Sequence, residues 1–173
     1  TILVVGGSQG ARFLNDMALA NAPFLRTEGW QVLHLAGPDA ERVRAAYNAA
    51  GLQAVVVDFL FEMADAYAAA DAAVCRAGAG TLAELCWHAI PSVLVPYPFA
   101  GNHQEENAAF IASRGGCEIL RQNRNAIAAF PRVLDRLAGR ADTVRANLRE
   151  IPIVDTERRA ASLLTSFLFH RTV

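Results

Sequence analysis

The sequence predicts an α/β fold, a Rossmann-like open parallel six-stranded sheet with helices on both faces. Three observations carry that prediction. Short apolar runs recur six times along the 173 residues, and none of them alternates polar with apolar positions. Strands buried on both faces of a parallel sheet read that way. Longer Ala-rich stretches separate the runs, as right-handed βαβ crossovers require. The composition, 53% hydrophobic and 19% charged, supplies a large core for one domain.

The elements follow in order. Strands are predicted at Ile2–Val5, Val32–Ala36, Ala54–Val57, Ala72–Cys75, Ser92–Val95 and Cys117–Leu120, where β-branched and small apolar residues cluster. Helices are predicted at Gly10–Ala22, Ala40–Ala50, Met63–Ala70, Thr81–His88, Asn102–Ser113, Ala126–Leu137, Ala141–Arg149 and Thr156–Phe169. Gly51, Gly115 and Gly116 stand where helices should stop, Pro91 opens the fifth strand, and Pro152 marks a break before the last helix. The expected strand order is 3-2-1-4-5-6. Ligands then bind beyond the C-terminal strand ends, where the order reverses between strands 1 and 4.

The totals exclude several function classes. A formal net charge of −1 provides no field for nucleic acid. All 16 basic residues are Arg, so no phosphate-loop lysine, Schiff base or catalytic amine is available. Cys75, Cys86 and Cys117 are odd in number, widely spaced and without CxxC, which reads as small buried hydrophobes in a reducing compartment. No apolar run approaches the roughly 18 residues of a membrane span. The chain opens on Thr1 and enters a strand at once, which suggests a domain excised from a longer protein.

Three segments at strand ends carry candidate chemistry. Gly6-Gly7-Ser8-Gln9-Gly10-Ala11 follows the first strand. Its glycines allow close backbone approach, and the next helix offers unpaired N–H groups to a phosphate. The same residues also fit a plain strand-to-helix turn with Ser8 as N-cap. The loop is not a dinucleotide fingerprint, because Ala36-Gly37 stand where an acidic residue should close the second strand. Cys75-Arg76-Ala77-Gly78-Ala79-Gly80-Thr81-Leu82-Ala83-Glu84 follows the fourth strand. Thr81-x-x-Glu84 fits a capping box, in which Glu84 bonds back to the Thr81 backbone. Alternatively, that carboxylate accepts both hydroxyls of a ribose. The third segment, Pro96 to Asn107, has Asn102 as candidate cap. It places His103 and Gln104 at the crevice rim, where either side chain can read sugar hydroxyls or simply be solvated.

Gly6 to Arg12, then Cys75 to Ala79 with Thr81 and Glu84, then His103-Gln104 with Asn107-Ala108, resemble the MurG family in order and separation. Asp155-Thr156-Glu157-Arg158 adds to the match, so the resemblance spans essentially the whole chain. It implies the donor-binding, C-terminal half (residues 1–173) of a two-domain GT-B glycosyltransferase, with the N-terminal acceptor domain absent. It further implies inverting transfer of N-acetylglucosamine from UDP-N-acetylglucosamine to lipid-linked muramoyl-pentapeptide, at the inner surface of the cytoplasmic membrane. By the same resemblance, Ser8 contacts the diphosphate, and Ala79, Gly80 and Thr81 do so at the second helix start. Leu82 and Ala83 continue that stretch to Glu84, which holds the ribose. Leu60 meets uracil through its backbone with Met63 nearby, and His103 and Gln104 read the sugar. Gly80, Gly101 and His103 depart from the family pattern. No cofactor is implied, and without a DxD motif no bridging metal is indicated. The general base belongs to the absent domain, so the chain alone should bind donor and turn over little.

Elsewhere the residues read as structural. His34 is expected to be a satisfied core histidine, Arg76 to hold its glycine turn in preference to the alternative of partnering a phosphate, and His88 and His170 to favour helix C-termini. Trp30, Trp87 and the phenylalanines are expected to pack. Leu163, Leu164, Phe167 and Leu168 form an apolar face suited to the core or a domain junction. Competing readings are the donor half of another UDP-sugar glycosyltransferase, an epimerase, or a non-catalytic nucleotide-binding module.

Overall fold

The computed structural model describes residues 1–6, 11–99 and 102–152. Six strands, β1 (Ile2–Val5), β2 (Val32–Leu35), β3 (Ala54–Val57), β4 (Ala72–Cys75), β5 (Ser92–Leu94) and β6 (Cys117–Ile119), form one sheet in the order β3-β2-β1-β4-β5-β6. All five pairings are parallel, with Val5 level with Leu35 on one side and Cys75 on the other. The predicted order is the observed one. Right-handed crossovers on either side of the β1/β4 reversal send the helices to opposite faces.

The helices are α1 (Arg12–Ala20), α2 (Ala22–Thr27), α3 (Ala40–Ala50), α4 (Met63–Ala68), α5 (Ala79–Trp87), α6 (His103–Ala112), α7 (Ala126–Ala138) and α8 (Ala141–Arg149). α1 packs with α3 and α7, while α5 packs with α6 and α8. Leu3, Val4, Ala73, Val74, Val93 and Leu94 fill the middle of the sheet, and Met17, Tyr47, Phe130 and Leu134 reach it from the helices. Gly51 closes α3 in the left-handed region at φ 65°, a conformation that costs glycine nothing.

Several expectations are corrected. The predicted first helix ends at Ala20, and a second, Ala22–Thr27, follows with Pro23 in its first turn. Proline suits a helix start because its missing N–H has no partner there. The outer strands are not buried on both faces: Val55 of β3 is exposed, and β6 is only half-buried, because each lies at a sheet edge. Trp30 packs against the core, but Trp87, Phe61 and Phe99 are exposed rather than packed. The predicted helix Thr156–Phe169, its apolar face, His170 and the Asp155–Arg158 motif lie outside the described residues.

Candidate functional site

The turns after β1 and β4 meet because their strands are hydrogen-bonded neighbours. Gly6, Ala11, Arg12 and Phe13 from the first, and Arg76 from the second, line one crevice of about 500 Å³ with Tyr97 and Gln122. α1 starts after Ala11 and α5 after Gly78, and neither start is capped by a side chain. Among the described residues, the first N–H groups of both helices therefore lack an intrahelical or side-chain partner, and each end carries about half a positive charge. Ser8 lies outside the described residues, and the N-cap of α1 is Ala11.

Arg76 anchors this crevice. Its Nη1 donates to the Val95 carbonyl at 3.0 Å and more distantly to Pro96, while its guanidinium faces the rings of Tyr97 and Phe13 at 5.3 and 5.9 Å. No carboxylate pairs with it among the described residues. Its partial burial lowers its pKa, so the cation stands partly desolvated beside the glycine turns. The expectation of a structural arginine holds for Nη1, which ties β4 to the end of β5. In the same crevice, the side-chain oxygen of Gln122 is buried without a donor among the described residues. The sequence reading missed Gln122, since a lone Gln after a strand carries no local signal.

A second cavity, about 260 Å³, opens on the other side of the switch point. Val5 and Leu35 form its floor, with Leu60, Met63 and Tyr67 from the β3–α4 segment and Thr81 and Glu84 from α5 around it. The structure thus brings together four sequence-predicted residues from segments about twenty positions apart.

The capping-box alternative for Glu84 is corrected. α5 begins at Ala79, two residues earlier than predicted, so its N-cap is Gly78 and Thr81 is already the third helical residue. Glu84 instead accepts a hydrogen bond from the Tyr67 hydroxyl, at 2.6 Å on Oε2. A Cβ added to Gly80 would meet nothing within 4 Å, so the space over the helix start is open.

The remaining predicted residues divide. Leu82 and Ala83, with Ala79, line a separate apolar cavity of about 350 Å³ between α5, α6 and the Ile151-Pro152 segment, so their side chains face away from the other two cavities. His103 is exposed at the start of α6, in none of these cavities. Gln104 accepts from the backbone N–H of Tyr97 at 2.9 Å and of Ala77 at 3.3 Å, and Asn107 donates to the Ala77 carbonyl at 3.1 Å. Those bonds clamp the β4 and β5 turns together and commit the Gln104 oxygen to the protein, leaving its amide N–H groups. Asn102 occupies the N-cap of α6, as expected, yet in the left-handed region and without a side-chain cap bond.

His34 is fully buried and satisfied, as expected. Its Nε2 lies 3.0 Å from Asn15 Oδ1 and its Nδ1 2.9 Å from the Tyr47 hydroxyl. Asn15 Nδ2 donates to the Ala36 carbonyl and to Asp39, and Asp39 also takes Arg42 at 2.7 Å. The carboxylate nearest the end of β2 is thereby occupied. Cys75, Cys86 and Cys117 are free and buried. Burial pushes the Cys75 and Cys117 thiols up to about 12, and the Cys86 thiol upward as well.

Comparison with known proteins locates this geometry. Residues 1–159 match the glycosyltransferase family 28 C-terminal domain. A relative from Solibacter usitatus, named UDP-N-acetylglucosamine--N-acetylmuramyl-(pentapeptide) pyrophosphoryl-undecaprenol N-acetylglucosamine transferase, is 36% identical over 94% of this chain and 46% of its own length. The crystal structure of Acinetobacter baumannii MurG superposes with a TM-score of 0.83 at 30% identity, over 96% of this chain and 49% of that one. The calicheamicin glycosyltransferase CalG4 shares the fold, at TM-score 0.72 and 20% identity over 99% of this chain and 43% of that one. The chain therefore spans about half the length of these proteins.

Proposed function

The chain belongs to the glycosyltransferase family 28 C-terminal domains, and from that premise we propose that it is the donor-binding half of an N-acetylglucosaminyltransferase. The donor is UDP-N-acetylglucosamine, and the acceptor is a lipid-linked muramoyl-pentapeptide, as the name of the Solibacter usitatus relative suggests. The sugar is transferred with inversion. Residues 1–173 form one donor domain, and an N-terminal acceptor domain supplies the general base. The intact enzyme works on the cytoplasmic face of the membrane, bound peripherally.

One observation carries the donor reading: the Leu60–Met63 turn and the Thr81–Glu84 turn of α5 share one cavity, and the separate crevice beside β1 is lined by the start of α1 and by Arg76 of the turn that leads into α5. An apolar floor of Val5 and Leu35 suits a flat pyrimidine, and Glu84 suits the ribose hydroxyls. The diphosphate then lies over the N–H groups of Ala79, Gly80 and Thr81, with Ser8 and the start of α1 on its other side. As the glycosidic bond breaks, negative charge grows on the departing UDP. Both helix ends and Arg76 stabilise that charge where water is partly excluded. His103 and the amide N–H groups of Gln104 meet the sugar.

Titration with UDP-N-acetylglucosamine, UDP-glucose, UDP-galactose and ADP tests this reading. The N-acetylglucosamine donor should bind tightest and ADP weakest, and Glu84→Ala should weaken every uridine ligand by about 10- to 100-fold, the value of bonds to a charged group. Equal binding of adenine and uridine nucleotides, unaffected by Glu84→Ala, would identify a general nucleotide module instead.

A further inference from the structure

Tyr67 belongs to none of the sequence motifs, yet it bonds directly to the candidate ribose carboxylate. Tyr67 is 4% exposed, held in α4 against the core. Its hydroxyl donates to Glu84 Oε2 at 2.6 Å, and the His88 ring stacks on it with centroids 5.2 Å apart and planes 27° apart. Both Tyr67 and Glu84 line the uridine cavity. Glu84 is exposed and has no other hydrogen-bond partner among the described residues.

An exposed glutamate has three rotatable bonds and samples many rotamers, and fixing one costs entropy. A phenol locked by packing removes much of that freedom before any ligand arrives. The bond occupies one lone pair of Oε2. Oε1 and the rest of Oε2 remain to accept two neighbouring hydroxyls, a pattern that deoxyribose cannot complete. We propose that Tyr67 is a positioning residue that sets the Glu84 carboxylate for the vicinal hydroxyls of a bound ribonucleoside, so that discrimination against 2′-deoxyribonucleotides depends on its hydroxyl. Burial first, then the bond to Glu84, raises the phenol's pKa, so Tyr67 remains the donor and Glu84 the acceptor throughout the neutral range. The inference rests on the reading of Glu84 as the ribose acceptor.

Calorimetric titration of the full chain with UDP and 2′-deoxy-UDP tests it, for the wild type, Tyr67→Phe, Glu84→Ala and the double variant. Phenylalanine keeps the ring and its packing, and a Glu84 freed of its partner stays solvated. The wild type should prefer UDP, Tyr67→Phe should narrow that preference by about fivefold to tenfold, and it should change nothing further once Glu84 is alanine. A general packing defect lowers both affinities together and leaves their ratio intact; that result, or an unchanged ratio with unchanged affinities, overturns the proposal. If the wild type binds UDP and 2′-deoxy-UDP equally, the ribose role of Glu84 fails and takes the Tyr67 proposal with it. If UDP does not bind at all, the donor reading itself is wrong.

Discussion

His34 shows how one buried side chain couples stability to pH. Asn15 uses its amide N–H groups on Ala36 and Asp39, so its oxygen must accept, and His34 Nε2 must carry the proton. Tyr47 then donates to the bare Nδ1. Burial, aided by the charge of Arg42, lowers the His34 pKa from 6.5 to about 4. The unfolded chain therefore binds the extra proton first as pH falls. The stabilisation is fully present above about pH 6.5, shrinks below it, and is gone once pH passes through about 4, a total on the order of 3 kcal/mol. Chemical denaturation between pH 7 and 4 should show this slope, and His34→Gln, though less stable at pH 7, should flatten it. An equal slope in both proteins would assign the pH dependence to the carboxylates. Glu84 teaches a different lesson at the same scale. Its spacing from Thr81 satisfies a capping box, but an earlier helix start turns it toward Tyr67, a partner 17 positions away.

Among the elements, α7 carries a proline at Pro131, well inside its 13 residues. Proline donates no bond to the carbonyl four residues back, which is Ile127. Asn21, from the junction of α1 and α2, fills that gap: its Nδ2 donates to the Ile127 carbonyl at 3.0 Å and to the Met17 carbonyl at 2.8 Å. A side chain at one break in helical regularity thus satisfies a carbonyl left at another, 106 positions away. Asn21→Ala should destabilise the chain by about 1–3 kcal/mol, since it leaves a partly buried carbonyl without a donor. Adding Pro131→Ala should recover part of that loss, because alanine at this position restores the intrahelical N–H. Additive losses in the double variant, measured by urea unfolding, would contradict the compensation. The start of α5 offers a simpler case. Gly80→Ala should raise stability by up to about 1 kcal/mol in the same assay, because its Cβ meets nothing and alanine is the better helix former.

At the scale of the whole molecule, the reversal of strand order between β1 and β4 creates the crevice, and the two helix sets on opposite faces hold its walls. Ligand bound there contacts loops from both halves of the sheet and should stabilise both. At UDP-N-acetylglucosamine concentrations near 100 times its dissociation constant, the gain is about 2.7 kcal/mol. The melting temperature should then rise by about 5–10 °C, and Glu84→Ala should reduce that rise. Supplied with donor and lipid-linked acceptor, the chain alone should transfer no sugar, because the proposed base lies outside it. Measurable product would move the base into these 173 residues.

The six strands and their parallel order were legible from the sequence alone, because short apolar runs and glycine-bearing strand ends are local patterns that topology rules then constrain. Of the four predicted residues that line the second cavity, Thr81 and Glu84 were singled out by their spacing, whereas Leu60 and Met63 came only through resemblance, since they carry no chemistry of their own. Tertiary structure alone decided what each polar side chain does. Tyr67 on Glu84, Asn15 on His34, Asn21 on Ile127 and the bonds of Gln104 to Ala77 and Tyr97 all join positions brought close by folding. A residue's type states how many hydrogen bonds it can make; which partners it finds depends on the distances that packing sets. The true start of α5 and the exposure of Trp87 and Phe61 follow the same reasoning, for helix ends and surface are settled by neighbours distant in sequence.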